Sequence, residues 1–456
     1  MNRLSISYKI LILLLTFIPI IYLIYMVARY TVDILSFDEW YLVPFFEKMF
    51  NHSLTIKDLW NQFNEHRLVF PIATTLLMGR LTGWNLQYET ALGVLFGLGI
   101  FISLIYLLKG ENKYFKKYSI YLIFPTISFL VFSFNQFENW LWGIQKLIFM
   151  NLLSVTLGII LLTRFSITWR SVLLAAIFGI VATYSFASGL LYWPIALALF
   201  YLHPKIAKGL KIKWVTLWIT ISLLALLSYF IGYSKPPYDP PIPMTLALKH
   251  PVEYTKYALM LLGSPLEIIH RDRAVIIATL GLITYFYLVY RLFKAKLANT
   301  TLVLSQLALS SYAIANCLVT AAGRIGLGLP SRPASRYVTI PEVFWTATVV
   351  LLFLNINMSA KNKIVTIFTT CAIALITVLS INSSIQGTKV ALNRYTFLSD
   401  VRSGLLQSNS LDNQLRLWGY IYPRANANGL KQVTNITQLN KDLYTLVKHR
   451  LSIFRN

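Results

Sequence analysis

The run Lys9-Ile10-Leu11-Ile12-Leu13-Leu14-Leu15-Thr16-Phe17-Ile18-Pro19-Ile20-Ile21-Tyr22-Leu23-Ile24-Tyr25-Met26, followed shortly by Ser36-Phe37-Asp38-Glu39-Trp40-Tyr41, decides how this chain folds. The run is apolar over about 18 residues, enough for a helix to cross ~30 Å of hydrocarbon. Arg3 and Lys9 precede its apolar part, the charge order of a secretory signal. It is long for a signal and no small-residue cleavage site follows, so it reads as a retained first span.

Similar runs recur along all 456 residues. The chain is 56% hydrophobic and only 13% charged, with mean hydropathy +0.61; a typical soluble protein is ~25% charged. The pattern predicts an all-α polytopic membrane protein. Apolar stretches near 9–30, 86–108, 119–134, 144–163, 171–186, 189–202, 214–233, 274–290, 299–322, 339–357 and 364–381 give about eleven transmembrane helices.

A formal charge of +24 invites a nucleic-acid partner, but the basic residues form no continuous stripe and no nucleic-acid module. They cluster between apolar runs, as in cytoplasmic loops facing anionic membrane lipids. The clusters are Arg3/Lys9; Lys109, Lys113, Lys116 and Lys117; Arg164/Arg170; Lys205, Lys208, Lys211 and Lys213; Arg291, Lys294 and Lys296; and Lys361/Lys363. With the N-terminus inside, every cluster falls inside. Parity then requires two short spans around Ser185-Phe186-Ala187-Ser188-Gly189. It also makes Leu68–Leu81 an interfacial helix on the outer side. The acids check this weakly: all but Glu111 of the 17 fall outside or at outer helix ends. The two cysteines, Cys317 and Cys371, lie in apolar segments and read as small core residues, with no disulfide or metal pair.

Residues 1–381 thus form the transmembrane domain, with external loops 31–85, 234–273 and 323–338, and residues 382–456 form a small external polar tail. In the first loop, Leu54–Phe63 has the pattern of a short interfacial helix. The second contains the stiff stretch Pro236-Pro237-Tyr238-Asp239-Pro240-Pro241, and the tail contains a Gly419–Gly429 loop. Asn51-His52-Ser53, Asn382-Ser383-Ser384 and Asn435-Ile436-Thr437 match glycosylation sequons, triplets that are common by chance.

Chemistry concentrates in the external loops. Asp38 and Glu39 are adjacent carboxylates beside aromatics at the membrane surface. Partial desolvation there raises carboxylate pKa values and suits a general base or cation ligand; an interfacial aromatic belt with solvated acids is the plainer alternative. Asn64-Glu65-His66-Arg67 suits a sugar or phosphate, or equally a polar cap on the next helix. Asn135-Gln136-Phe137-Glu138-Asn139-Trp140-Leu141-Trp142-Gly143 brings a third acid outside among tryptophans, which stack on sugar faces but also anchor interfaces. Gly323-Arg324-Ile325-Gly326-Leu327-Gly328 and Ser331-Arg332-Pro333-Ala334-Ser335-Arg336-Tyr337 combine arginines, glycines and a helix start. That combination suits an anion such as a lipid phosphate, although snorkelling arginines look the same. His52, His203, His250, His270 and His449 show no metal-ligand spacing, and no nucleotide-binding loop occurs.

On these residues the chain resembles the GT-C fold membrane glycosyltransferases, particularly bacterial members that use polyprenyl-phosphate sugars. In that group an acidic residue or pair follows the first span, as Asp38-Glu39 does here. A further acid follows in the next external loop, which Glu138 matches, and a later external loop carries basic residues, which Arg324 and Arg336 match. The resemblance implies transfer of a hexose or pentose from a polyprenyl-phosphate sugar donor to an envelope glycan or glycolipid acceptor, as in polysaccharide or lipopolysaccharide biosynthesis. It implies a bacterial inner membrane with the N-terminus cytoplasmic and the C-terminus external. Asp38, with Glu39, would be catalytic, and Glu65, His66, Arg67, Glu138 and Trp142 would bind substrate. Arg324, Arg336 and Tyr337 would hold the lipid phosphate. No cofactor is implied with certainty; a divalent cation would take Asp38 and Glu39 as ligands. The rivals are a transporter or flippase of a lipid-linked saccharide and an O-antigen polymerase or ligase. Transporters usually carry repeats and polar sites at mid-membrane, and neither pattern is evident here.

Overall fold

The structure is a computed structural model and describes residues 6–108, 119–203, 208–234, 246–298, 300–359, 362–407, 417–418, 420–421 and 436–455. Outside the described residues lie Arg3, the basic cluster at 109–117 with Glu111, Lys205, Lys361, the proline-rich stretch 236–241, Asn435 and most of the Gly419–Gly429 loop.

The chain is an all-α polytopic membrane protein. Among the described residues, eight helices are long and apolar enough to cross a membrane: Ile6–Tyr30, Leu86–Leu108, Gly143–Arg164, Lys211–Phe230, Arg271–Lys294, Thr301–Leu327, Thr339–Met358 and Lys363–Gln407. Val69–Thr82, Trp169–Thr183 and Ala187–Leu202 are shorter apolar helices. The last two are separated by a break at 184–186, where the two short spans were expected. Gly189 is required there, since a Cβ would meet the Ala182 carbonyl at 2.3 Å. The expected span at 119–134 is instead a nine-residue helix, Ile123–Val131, after a 3-10 turn.

Thr339–Met358 is almost wholly enclosed, while Ile6–Tyr30 and Arg271–Lys294 leave much of their surface open. Exposed Leu13, Phe17 and Ile21 on the first helix, and Ile276, Leu280 and Ile283 on the other, form apolar stripes suited to lipid. Small polar groups join the helices inside. Ser128 Oγ donates to the Thr16 carbonyl at 2.6 Å and Ser380 Oγ to the Phe129 carbonyl at 2.9 Å, as expected where lipid offers no competing partner.

Two further features differ from expectation. The interfacial helix at Leu54–Phe63 is helical only over Ile56–Leu59, started by a Thr55–Asp58 capping box. The chain then forms an antiparallel hairpin, Gln62–Phe63 against His66–Arg67. Tertiary bonds override the helical pattern: Gln62 accepts from the Ser234 amide at 2.9 Å and donates to its carbonyl at 2.7 Å.

The helix Lys363–Gln407 has 45 residues, or about 68 Å at ~1.5 Å per residue, roughly twice the hydrocarbon thickness. The boundary expected at 381/382 therefore falls inside a continuous helix. At Gly387 it crosses the 134–135 turn so closely that a Cβ would lie 2.4 Å from the Asn135 Cα. Beyond it, residues 436–455 strap back onto the segment 31–85. His449 stacks on Phe50 with ring centroids 4.4 Å apart, Arg455 pairs with Asp33 at 2.7 Å, and the Ser452 amide donates to the Gly83 carbonyl at 2.9 Å.

Candidate active site

Asp38 and Glu39 sit in a 3-10 turn, Phe37–Leu42, whose capping box uses Ser36 and Glu39. The turn starts at Phe37 with φ +48 and is anchored by the Phe37 amide on the Ile421 carbonyl at 2.7 Å. Trp142 Nε1 donates to the Ser36 carbonyl at 3.2 Å, so the turn that ends at Trp142 buttresses the Phe37–Leu42 turn.

The two acids face different surroundings. Asp38 is half-buried, and burial raises its pKa from the ordinary value, opposed by Arg336 and Arg324 and assisted by Glu65. Glu39 is buried: its Oε2 accepts from the Ser36 amide at 2.9 Å, and burial pushes its pKa up to about 8. Asp38 is therefore within the field of Arg336, Arg324 and Glu65, while Glu39 holds the turn from within. Among the described residues, no group of three or more His, Cys, Asp or Glu side chains is placed to hold a metal ion.

Glu65 pairs with Arg324 at 2.5 Å, and its Oε1 lies 3.7 Å from His66 Nε2. His66 Nδ1 accepts from the Ala187 amide at 3.1 Å, which fixes the tautomer with Nε2 protonated when the ring is neutral. Burial pushes the His66 pKa down to about 4, so it is neutral at physiological pH. Arg67 is buried. Its guanidinium donates to the Tyr229 carbonyl at 2.6 Å and to the carbonyls of Trp60 and Ile231, capping the helix that ends at Phe230. The sequence context suggests instead a polar cap on the helix that follows, Val69–Thr82, and Arg67 makes its bonds elsewhere.

Glu138 binds the far side of the arginine loop. Its Oε2 accepts from Ser335 Oγ at 2.6 Å and the Arg336 amide at 3.0 Å, and its Oε1 lies 3.5 Å from Arg336 Nη1. The turn carrying Glu138 is fixed to the start of Thr339–Met358: Asn139 Nδ2 donates to Thr339 Oγ1 at 2.7 Å and Gln136 Nε2 to Glu342 at 2.9 Å. The Arg336 guanidinium lies 5.2 Å from the Tyr337 ring centroid. Asp38, Glu65, Glu138, Arg324, Arg336 and Tyr337, drawn from three segments far apart in sequence, thus converge.

Two features escaped the sequence reading. Arg394 lies over the Trp142 ring at 5.4 Å and interacts electrostatically with Glu138, Glu39 and Arg336. It comes from residues read as a separate tail, and no motif marks it. Glu89 and Lys146 form an ion pair with exposures of 2% and 1%, completed by a bond of 2.6 Å from Lys146 Nζ to Thr75 Oγ1. Opposite charges at the outer ends of two neighbouring apolar spans were the signal available for that pair.

Chemically, this arrangement offers a carboxylate of raised basicity beside two cations that can receive negative charge. No family profile matches the chain, and no curated protein matches it. Among solved structures, the archaeal oligosaccharyltransferase AglB from Archaeoglobus fulgidus, in complex with an inhibitory peptide and a dolichol-phosphate, is similar. The identity is 12% and the TM-score 0.46, over 91% of this chain and 60% of that one. This chain thus spans about 60% of that protein's chain, and the likeness is one of fold outline.

Proposed function

We propose that this protein is a GT-C-type membrane glycosyltransferase that moves a sugar from a polyprenyl-phosphate donor to a glycan or glycolipid acceptor on the external face. The observation that carries the reading is the half-buried Asp38 within the field of Arg324 and Arg336.

In this reading Asp38 takes the proton of an acceptor hydroxyl while that oxygen attacks the anomeric carbon. The bond from that carbon to the phosphate oxygen breaks, and its electron pair leaves with the polyprenyl phosphate. Arg324 and Arg336 stabilise the charge growing on that oxygen. They are held in place beforehand by Glu65 and Glu138, and fixed donors aimed at developing charge are the strongest catalytic device available to such a site. The proton remains on Asp38 until product leaves. His66, neutral and fixed through Nδ1, keeps Glu65 in register, and Trp142 supports the 3-10 turn.

Membranes containing the protein, given a polyprenyl phosphate bearing a radiolabelled sugar, should release polyprenyl phosphate and a labelled glycan or glycolipid together. Label that crosses the membrane still attached to the polyprenyl phosphate, with neither product formed, would identify a flippase instead.

A further inference from the structure

A cleft of about 430 Å³ opens beside Asp38, within the ~300–1,000 Å³ usual for small-ligand sites. Part of its lining is aromatic: the Tyr41 ring centroid lies 4.3 Å from that of Phe63 and 5.4 Å from that of Phe45. Trp40 and Pro44 add apolar surface, and polar groups come from two distant parts of the chain, Asn61 in the first loop and Gln438 and Asp442 on the terminal helix Ile436–Lys448. Gln438 Nε2 donates to Asp442 Oδ1 at 2.7 Å, which orients both groups. Asp58 and Lys48 also line the cleft but bind each other, and Asp58 is further held by Thr55 Oγ1 at 2.7 Å.

Aromatic surface together with carboxylates and amides matches a ring with apolar C–H faces and a hydroxylated edge. Flat aromatic side chains cover the faces, and carboxylate and amide oxygens accept from the hydroxyls. The lining holds three carboxylates, Asp38, Asp58 and Asp442, against the single lysine Lys48, which disfavours an anionic ring. The strap described above, with Thr445 Oγ1 on Glu47 at 3.3 Å, fixes the terminal helix to this wall.

We infer that the cleft receives the sugar end of the acceptor as an uncharged pyranose ring, and that Gln438 and Asp442 on the terminal helix select it. This assignment rests on the transferase reading above, because it places the ring's hydroxyl at Asp38. It gives the C-terminal segment a part in substrate choice that its distance along the chain does not reveal.

The test uses the full-length protein in lipid nanodiscs. Neutral methyl hexopyranosides and the corresponding methyl hexuronides are titrated, with binding read by saturation-transfer NMR and donor binding followed separately with labelled lipid. The neutral rings should bind saturably, and Asp442→Ala and Gln438→Ala should each weaken them about tenfold, the worth of a hydrogen bond to a charged or oriented group, with donor binding intact. If Asp442→Ala also lost donor binding through misfolding, Gln438→Ala and Phe63→Leu would decide. Unchanged binding in those variants, or hexuronides binding as well as neutral rings, overturns the inference. Neutral rings that bind as expected to a wild-type protein unable to transfer sugar would sink the transferase reading and leave the cleft assignment standing.

Discussion

Glu65 Oε1 and Arg324 Nη2 meet at 2.5 Å although 259 residues separate them in sequence. The contact ties the loop carrying Asp38 to the turn after Thr301–Arg324 and fixes a guanidinium whose charge acts on Asp38. A charge-assisted bond to phosphate contributes about 1.5–3 kcal/mol. Arg324→Ala should therefore raise the apparent KM for the lipid donor about tenfold or more. Arg324→Lys should recover only part of that loss, because lysine lacks the planar fork. Initial rates against donor concentration decide; an unchanged donor KM in Arg324→Ala removes this residue from the donor site.

Glu39 sets a pH dependence of stability. Its folded-state pKa, about 8, lies above its ordinary 4.5, so the folded protein holds a proton that the unfolded chain has released. Its contribution is fully present below about pH 4.5 and is lost as pH rises through about pH 8, at about 1.4 kcal/mol for each unit crossed. Glu39→Gln should flatten the melting temperature between those limits and make the variant relatively more stable at pH 9. Parallel wild-type and variant profiles would show that Glu39 does not carry the buried proton.

Lys146 and Glu89 join two of the long apolar helices. Removing one member of a buried pair leaves an uncompensated charge and costs about 3–5 kcal/mol. Lys146→Met should lower thermal stability by that order, and adding Glu89→Leu should restore much of it. If Lys146→Met melted like the wild type, the pair would not be the buried contact described here.

Sidedness has its own check. Phe37 is 45% exposed and Arg336 lies beside Glu138, so cysteines placed at either position should react with an impermeant maleimide added outside. The exposed Cys371 is first changed to serine. Reaction only from the cytoplasmic side would reverse the topology and the site with it.

Much of this was readable in the residues because both signals are local. Apolar runs of membrane length announce spans, and acids confined to loops announce a face. The convergence of Asp38, Glu65, Glu138, Arg324 and Arg336 is made by contacts between loops, Glu65 with Arg324 and Glu138 with Arg336. What the sequence hid depended on long-range packing. The helical pattern of Leu54–Phe63 gave way to a hairpin because Gln62 and Arg67 bond the end of the helix that stops at Phe230. Arg394 stood in an apparently separate tail, because nothing local shows that Lys363–Gln407 continues unbroken beyond the membrane. The cleft needed Asp442 and Asp38 together, and their adjacency arises only from the C-terminal strap.

The most direct test of the central claim is a single-turnover assay of Asp38→Asn in purified, reconstituted protein with radiolabelled polyprenyl-phosphate sugar, alongside donor binding. The amide preserves shape but cannot accept the acceptor's proton, and loss of a general base costs about 10²–10⁴-fold. Sugar transfer should fall by that factor while donor binding stays at the wild-type level. Transfer at the wild-type rate would show that Asp38 is not the base and contradict the account.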